Sequence, residues 1–110
     1  MRLQHRELTA GGWRRLSFVE QMANTGSEVE RALNWQAKGH AAYCQKAFER
    51  ALELLDLSLE TAVKPSYLKE LARLREALAD YFAGSNEFAS TPDLWRKYFS
   101  VFTYAARKDV

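Results

Sequence analysis

The segment DLWRKYFSVFTYAARKD, from Asp93 to Asp109, interleaves Trp95, Tyr98, Phe99, Phe102 and Tyr104 with Arg96, Lys97, Arg107 and Lys108. Rings that stack bases and cations that neutralise phosphates are the materials of a single-stranded nucleic-acid surface. The same pattern also describes an amphipathic helix. At about 100° per residue, Leu94, Trp95, Tyr98, Phe99, Val101, Phe102, Ala105 and Ala106 fall in one arc of roughly 160°, so those aromatics are expected to face a core. Tyr104 falls outside that arc, opposite Trp95 and bordered by Lys97, Arg107 and Lys108. It is either an isolated surface residue or the centre of a contact site.

Glu49, Glu53, Asp56 and Glu60 recur at helical spacing along one edge. Carboxylates so placed hold metals in some bundles, but those di-metal sites need Glu-x-x-His motifs on facing helices, and the chain has none. A solvated acidic edge is the expectation, with no metal and no cofactor. His5 and His40 are distant from each other, and neither makes a catalytic pair with Cys44, which sits on an apolar helix face and is expected to be inert. There is no Gly-rich phosphate loop, no Gly-x-Ser-x-Gly and no His-Glu-x-x-His. The chain is therefore expected not to be an enzyme.

Arg75 interrupts an apolar face formed by Tyr67, Leu68, Leu71, Ala72, Leu74, Leu78, Ala79 and Phe82. A guanidinium keeps its charge, so if buried it needs a partner. Another helical face carries Gln36 and His40, with Glu28 at its edge. Glu28, Gln36, His40 and Arg75 are expected to form a buried polar network that sets helix register, with Glu28 as the partner of Arg75. The other reading has Arg75 reaching out of a helix seam toward a ligand or partner.

The elements that must position these residues are helical. Pro65 and Pro92 are the only prolines, and Ala, Leu, Glu and Arg fill the stretches between. The first helix is expected from Ser17 to His40, either continuous or restarted after Gly26 by the capping box of Ser27 and Glu30. The second runs from Ala41 to about Glu60, with apolar residues at 3.6-residue periodicity. The third spans about Ser66 to Phe82 and stops at Gly84. The fourth starts with Thr91 as N-cap, Pro92 in the first helical position and Asp93 in the first turn. No strand-like alternation appears. Long helices on short connections pack antiparallel, so the expectation is an all-α, up-and-down four-helix bundle over 13–110, preceded by an N-terminal arm over 1–12.

The 110 residues suit one domain, with a net charge of +2, 47 % hydrophobic and 27 % charged residues and a single cysteine. Lone Cys44 excludes an internal disulfide framework and suits a reducing cytoplasm. No apolar run approaches the roughly 20 residues of a membrane span, and MRLQHRELTAGGW lacks a signal peptide's apolar core. Charge gathers at the ends: Arg2, Arg6, Arg14 and Arg15 against Glu7, and Arg96, Lys97, Arg107 and Lys108 against Asp93. If Trp13 docks near the last helix, Arg14 and Arg15 join Arg96, Lys97, Tyr104, Arg107 and Lys108 in one nucleic-acid patch.

GHAAYCQKAFERALELLDL resembles the second helix of HEPN-type bundles, prokaryotic helical domains that include toxins, RNases and partners of nucleotidyltransferases. The RNase motif of that group, Arg followed after four to six residues by His on a late helix, is missing, since no histidine follows His40. Glu30-Arg31-Ala32 and FERALELL are similar to four-helix proteins encoded in ribosomal RNA intervening sequences. GSEVERA, AFERALELLDL and WRKYFSVFTYAAR resemble a group of small prokaryotic helical proteins to which no activity is attached. The HEPN-like resemblance implies a non-enzymatic interaction module acting with a protein partner such as a nucleotidyltransferase. The wide aromatic face and acidic edge add the expectation of a homodimer. The alternative is an RNA- or DNA-associated accessory protein using the basic patch.

Overall fold

In a computed structural model, which describes residues 10–108, five helices account for the secondary structure: α1 (Ala10–Arg14), α2 (Phe18–Ala37), α3 (Ala41–Thr61), α4 (Pro65–Ala83) and α5 (Pro92–Lys108). No strand occurs among the described residues. Three of the four long helices, α2, α4 and α5, start where the sequence supplies a starter. Ser17 Oγ accepts from the Glu20 N–H at 3.1 Å while Glu20 Oε1 accepts from the Ser17 N–H at 2.8 Å, closing a capping box at the head of α2. Pro65 and Pro92 occupy the opening positions of α4 and α5, where no intrahelical N–H is needed. Thr91 Oγ1 accepts from the Leu94 N–H at 3.2 Å.

α2 runs unbroken through Gly26, and the Ser27–Glu30 capping box does not form. Ser27 Oγ instead donates to the Ala23 carbonyl, and Glu30 receives Arg96. Gly26 is there for packing. A Cβ on it would lie 2.8 Å from Phe99 Cδ1 and 2.9 Å from Phe99 Cβ, so the bare backbone lets α5 approach.

The core combines Met22, Val29 and Leu33 of α2, Phe48, Ala51 and Leu55 of α3, Leu71, Leu74 and Leu78 of α4, and Trp95 and Phe99 of α5. Leu52 and Phe102 pack at its margin. Contact pairs run in opposite order along α2 and α5, where Arg96 meets Glu30 and Phe102 meets Phe18. The same holds for α3 and α4, through Phe48 with Phe82 and Asp56 with Arg75. The backbones of α4 and α5 share little contact, and side chains bridge them: Tyr98 Oη donates to Glu70, and the Tyr81 ring lies edge-on to Trp95. The radius of gyration is 13.5 Å, that of a compact domain.

α1 is absent from the sequence-based expectation, because five residues containing two glycines carry no readable helix signal. Its Trp13 is fully buried with Leu54 and Leu57 of α3, against Leu16. Trp13 Nε1 donates to Ser58 Oγ at 2.8 Å, and its carbonyl accepts from Gln21 Nε2 at 2.9 Å. Trp13 thus anchors on α3. Most of the expected arm, including Leu3, His5 and Leu8, lies outside the described residues.

The expected polar network does not form. Glu28 is buried, with Oε1 accepting from Arg31 Nη1 at 3.3 Å and Oε2 lacking a partner among the described residues. Arg75 sits at the edge of α4, its side chain 41 % exposed, and donates from Nε to Asp56 Oδ1 at 2.8 Å. Its long stem carries the charge past the apolar face to the nearest carboxylate on α3. Exposed Gln36 accepts from Tyr81 Oη at 2.8 Å, and exposed His40 packs edge-on against Trp35.

Candidate functional site

The amphipathicity of α5 divides its surface into three strips. Trp95 and Phe99 are buried; Leu94 and Val101 stand on one flank at 54 % and 65 % exposure, and Tyr104 on the other at 70 %. The side facing α2 is hollowed. A groove of about 520 Å³ has Val29, Leu33, Trp95 and Phe99 among its lining, together with Arg96, Ser100, Tyr104 and Arg107. It adjoins a hollow of about 390 Å³ that shares Ser27, Thr103 and Arg107 with it and reaches Glu20 and Ala106.

Three of the seven residues expected to bind nucleic acid, Arg96, Tyr104 and Arg107, therefore line one groove. Arg96 is already engaged. Its Nε donates to both Glu30 oxygens at 3.0 and 3.1 Å and its Nη2 to Asn34 Oδ1 at 3.3 Å. Lys97, Arg107 and Lys108 have no ion-pair partner among the described residues. Lys97 and Lys108 are exposed and do not line the groove. Arg14 and Arg15 adjoin Trp13, which packs on α3.

Two buried features were not read from the sequence. The Trp95 indole N–H has no acceptor among the described residues, although the ring is only 7 % exposed. Buried polar donors without partners are uncommon in folded proteins. Tyr98, assigned to the core by its place on the wheel, also donates its hydroxyl to Glu70. Burial, and next the bond to Glu70, push the Tyr98 phenol well above the ordinary tyrosine range. A helical wheel finds buried faces, but it does not see the polar tip of a tyrosine or tryptophan.

The acidic edge of α3 divides. Glu53 is buried, Asp56 holds Arg75, and exposed Glu49 accepts from Gln45. Among the described residues no group of three His, Cys, Asp or Glu is placed to hold a metal ion. Cys44 is a half-buried free thiol beside a hollow of about 280 Å³ lined also by Gln36, Phe48 and Phe82, toward the end of the helices and away from the core centre. Burial raises its pKa, which favours the thiol over the thiolate. No described helix is long and apolar enough to cross a membrane.

No family model, curated protein or solved structure matches this chain.

Proposed function

We propose that the chain is a non-enzymatic, self-associating helical interaction module that docks a protein partner alongside α5. The observation that carries this reading is apolar surface left open on α5 at Leu94 and Val101, 54 % and 65 % exposed. Exposed apolar surface beside a polar rim is what protein interfaces are built from. In this reading α2 to α5 form an up-and-down antiparallel four-helix bundle, the HEPN-like resemblance supplies the analogy for a paired module, and a reducing cytoplasm suits the free thiol.

Self-association is tested by light scattering coupled to size exclusion over a tenfold range of micromolar concentration. A dimer is expected, reduced to the monomer by Val101→Glu. A mass equal to one 12.7 kDa chain throughout would remove the self-associating part. A nucleic-acid reading draws on Arg96, Tyr104 and Arg107 in one groove. It ranks second, because Glu30 already occupies Arg96.

A further inference from the structure

Two strips of residues run along the open side of α5, and the spacings of each read the same from either end. At about 100° per residue, Leu94, Tyr98, Val101 and Ala105 fall within about 60° of one another, at spacings of four, three and four. That is the heptad rhythm of a helix seam, about three turns long. Leu94 and Val101 are exposed, and Tyr98 and Ala105 are half-buried, so the seam is open to a neighbour. Bordering it on the side away from the core are Asp93, Lys97, Tyr104 and Lys108, at spacings of four, seven and four. All four are exposed, and the three charged ones are in no ion pair among the described residues.

We infer that a second copy of this chain packs its α5 antiparallel along this seam. The inference rests on the self-associating part of the reading above and specifies its surface and direction. A two-fold axis reverses one helix against the other, and both strips are centred within about one residue of position 100, so one axis serves both. Reversal sets Leu94 against Ala105 of the second copy and Tyr98 against its Val101, larger side chains against smaller ones. It also sets Asp93 opposite Lys108 of the second copy and Lys97 opposite its Tyr104, and the axis repeats every pair. Charge therefore selects both the occupant and its direction. With the helices reversed, acid meets base and ammonium meets aromatic ring; with them parallel, Asp93, Lys97 and Lys108 each meet their own likeness. A uniformly acidic or uniformly basic guest satisfies only part of the strip. Three turns of one helix per copy make a small interface, so the dimer is expected to dissociate in the micromolar range.

Disulfide trapping reads the register. In a Cys44→Ser background, full-length Leu94→Cys and Ala105→Cys chains are purified separately, one with a size tag, and treated with oxidised glutathione alone and as an equal mixture. The mixture is expected to link about tenfold more than either chain alone. Reversal brings position 94 to position 105 of the second copy and holds each about 16 Å along the axis from its own counterpart, beyond disulfide reach. Tyr104→Ala, at an exposed position, is expected to raise the dimer dissociation constant about tenfold, since the axis removes two ring contacts at once. Circular dichroism checks that the variants keep their helices. A Leu94→Cys chain that links to itself as readily as in the mixture means parallel helices and overturns the inference, and an unchanged constant in Tyr104→Ala overturns the pairing of Lys97 with Tyr104. A dimer in light scattering whose mixture does not link puts self-association on another surface and overturns this inference alone. The mass of one chain at every concentration removes self-association and the inference together.

Discussion

Tyr98 joins packing to a titratable bond. Its ring lies edge-on to Trp95, Phe99 and Phe102, and its hydroxyl spans the gap to Glu70 on α4. Because burial and Glu70 raise its folded-state pKa above the ordinary value of about 10, the protonated phenol is favoured by folding. That contribution is fully present below about pH 10 and is lost as the pH climbs from there toward the folded-state value. Tyr81 is raised too, by burial first, so Tyr98 must be isolated by substitution. The urea midpoint is expected to fall above about pH 10, and Tyr98→Phe to flatten that fall. An identical alkaline slope in the variant would assign the effect elsewhere. Arg75 contrasts with it. Its pair with Asp56 has side chains 41 % and 52 % exposed, so a double-mutant cycle on the two is expected to yield only about 0.2–1 kcal/mol. Asp56 is the partner because it stands on the adjoining edge of α3, and register between helices is not written in either helix alone.

Helix positions follow local chemistry. Ser17 with Glu20, Pro65, Thr91 and Pro92 act within one turn, and they set the starts of α2, α4 and α5 locally. Whether α2 breaks at Gly26 was undecidable at that level. An isolated glycine lowers helix propensity by about 1 kcal/mol against alanine, yet its reason here is another helix. Gly26→Ala favours helix formation and at the same time drives a methyl into Phe99. The close atom includes Phe99 Cβ, which moves only with the α5 backbone, so steric cost should win. A net loss of about 1–3 kcal/mol in urea unfolding is expected, and a gain in stability would mean that the α2–α5 seam relaxes freely.

At the scale of the molecule, α1 acts as a tie on the outside of α3. Trp13 is fully buried with Leu54 and Leu57, and bonds at both its indole N–H and its carbonyl. Truncating it to alanine is expected to cost about 3–5 kcal/mol, whereas Ser58→Ala, which strands the indole N–H, should cost about 1–3 kcal/mol. Urea denaturation of both variants decides. A loss below about 1 kcal/mol for Trp13→Ala would mean that α1 adds nothing to the fold.

The sequence by itself determined an all-helical chain, the approximate ends of its long helices, the burial of Trp95 and Phe99 and the outward position of Tyr104, while Leu94 and Val101 of the expected arc stand exposed. Capping, proline placement and 3.6-residue periodicity act over one to three turns, so they are complete within each segment. The tertiary structure alone decided which faces meet. It put Trp13 on α3, gave Arg75 to Asp56 and Arg96 to Glu30, and buried the Trp95 N–H without an acceptor among the described residues. Those outcomes depend on the rotation and offset of one helix against another. Both are set by the mutual fit of side chains across the interface, as where Gly26 admits Phe99.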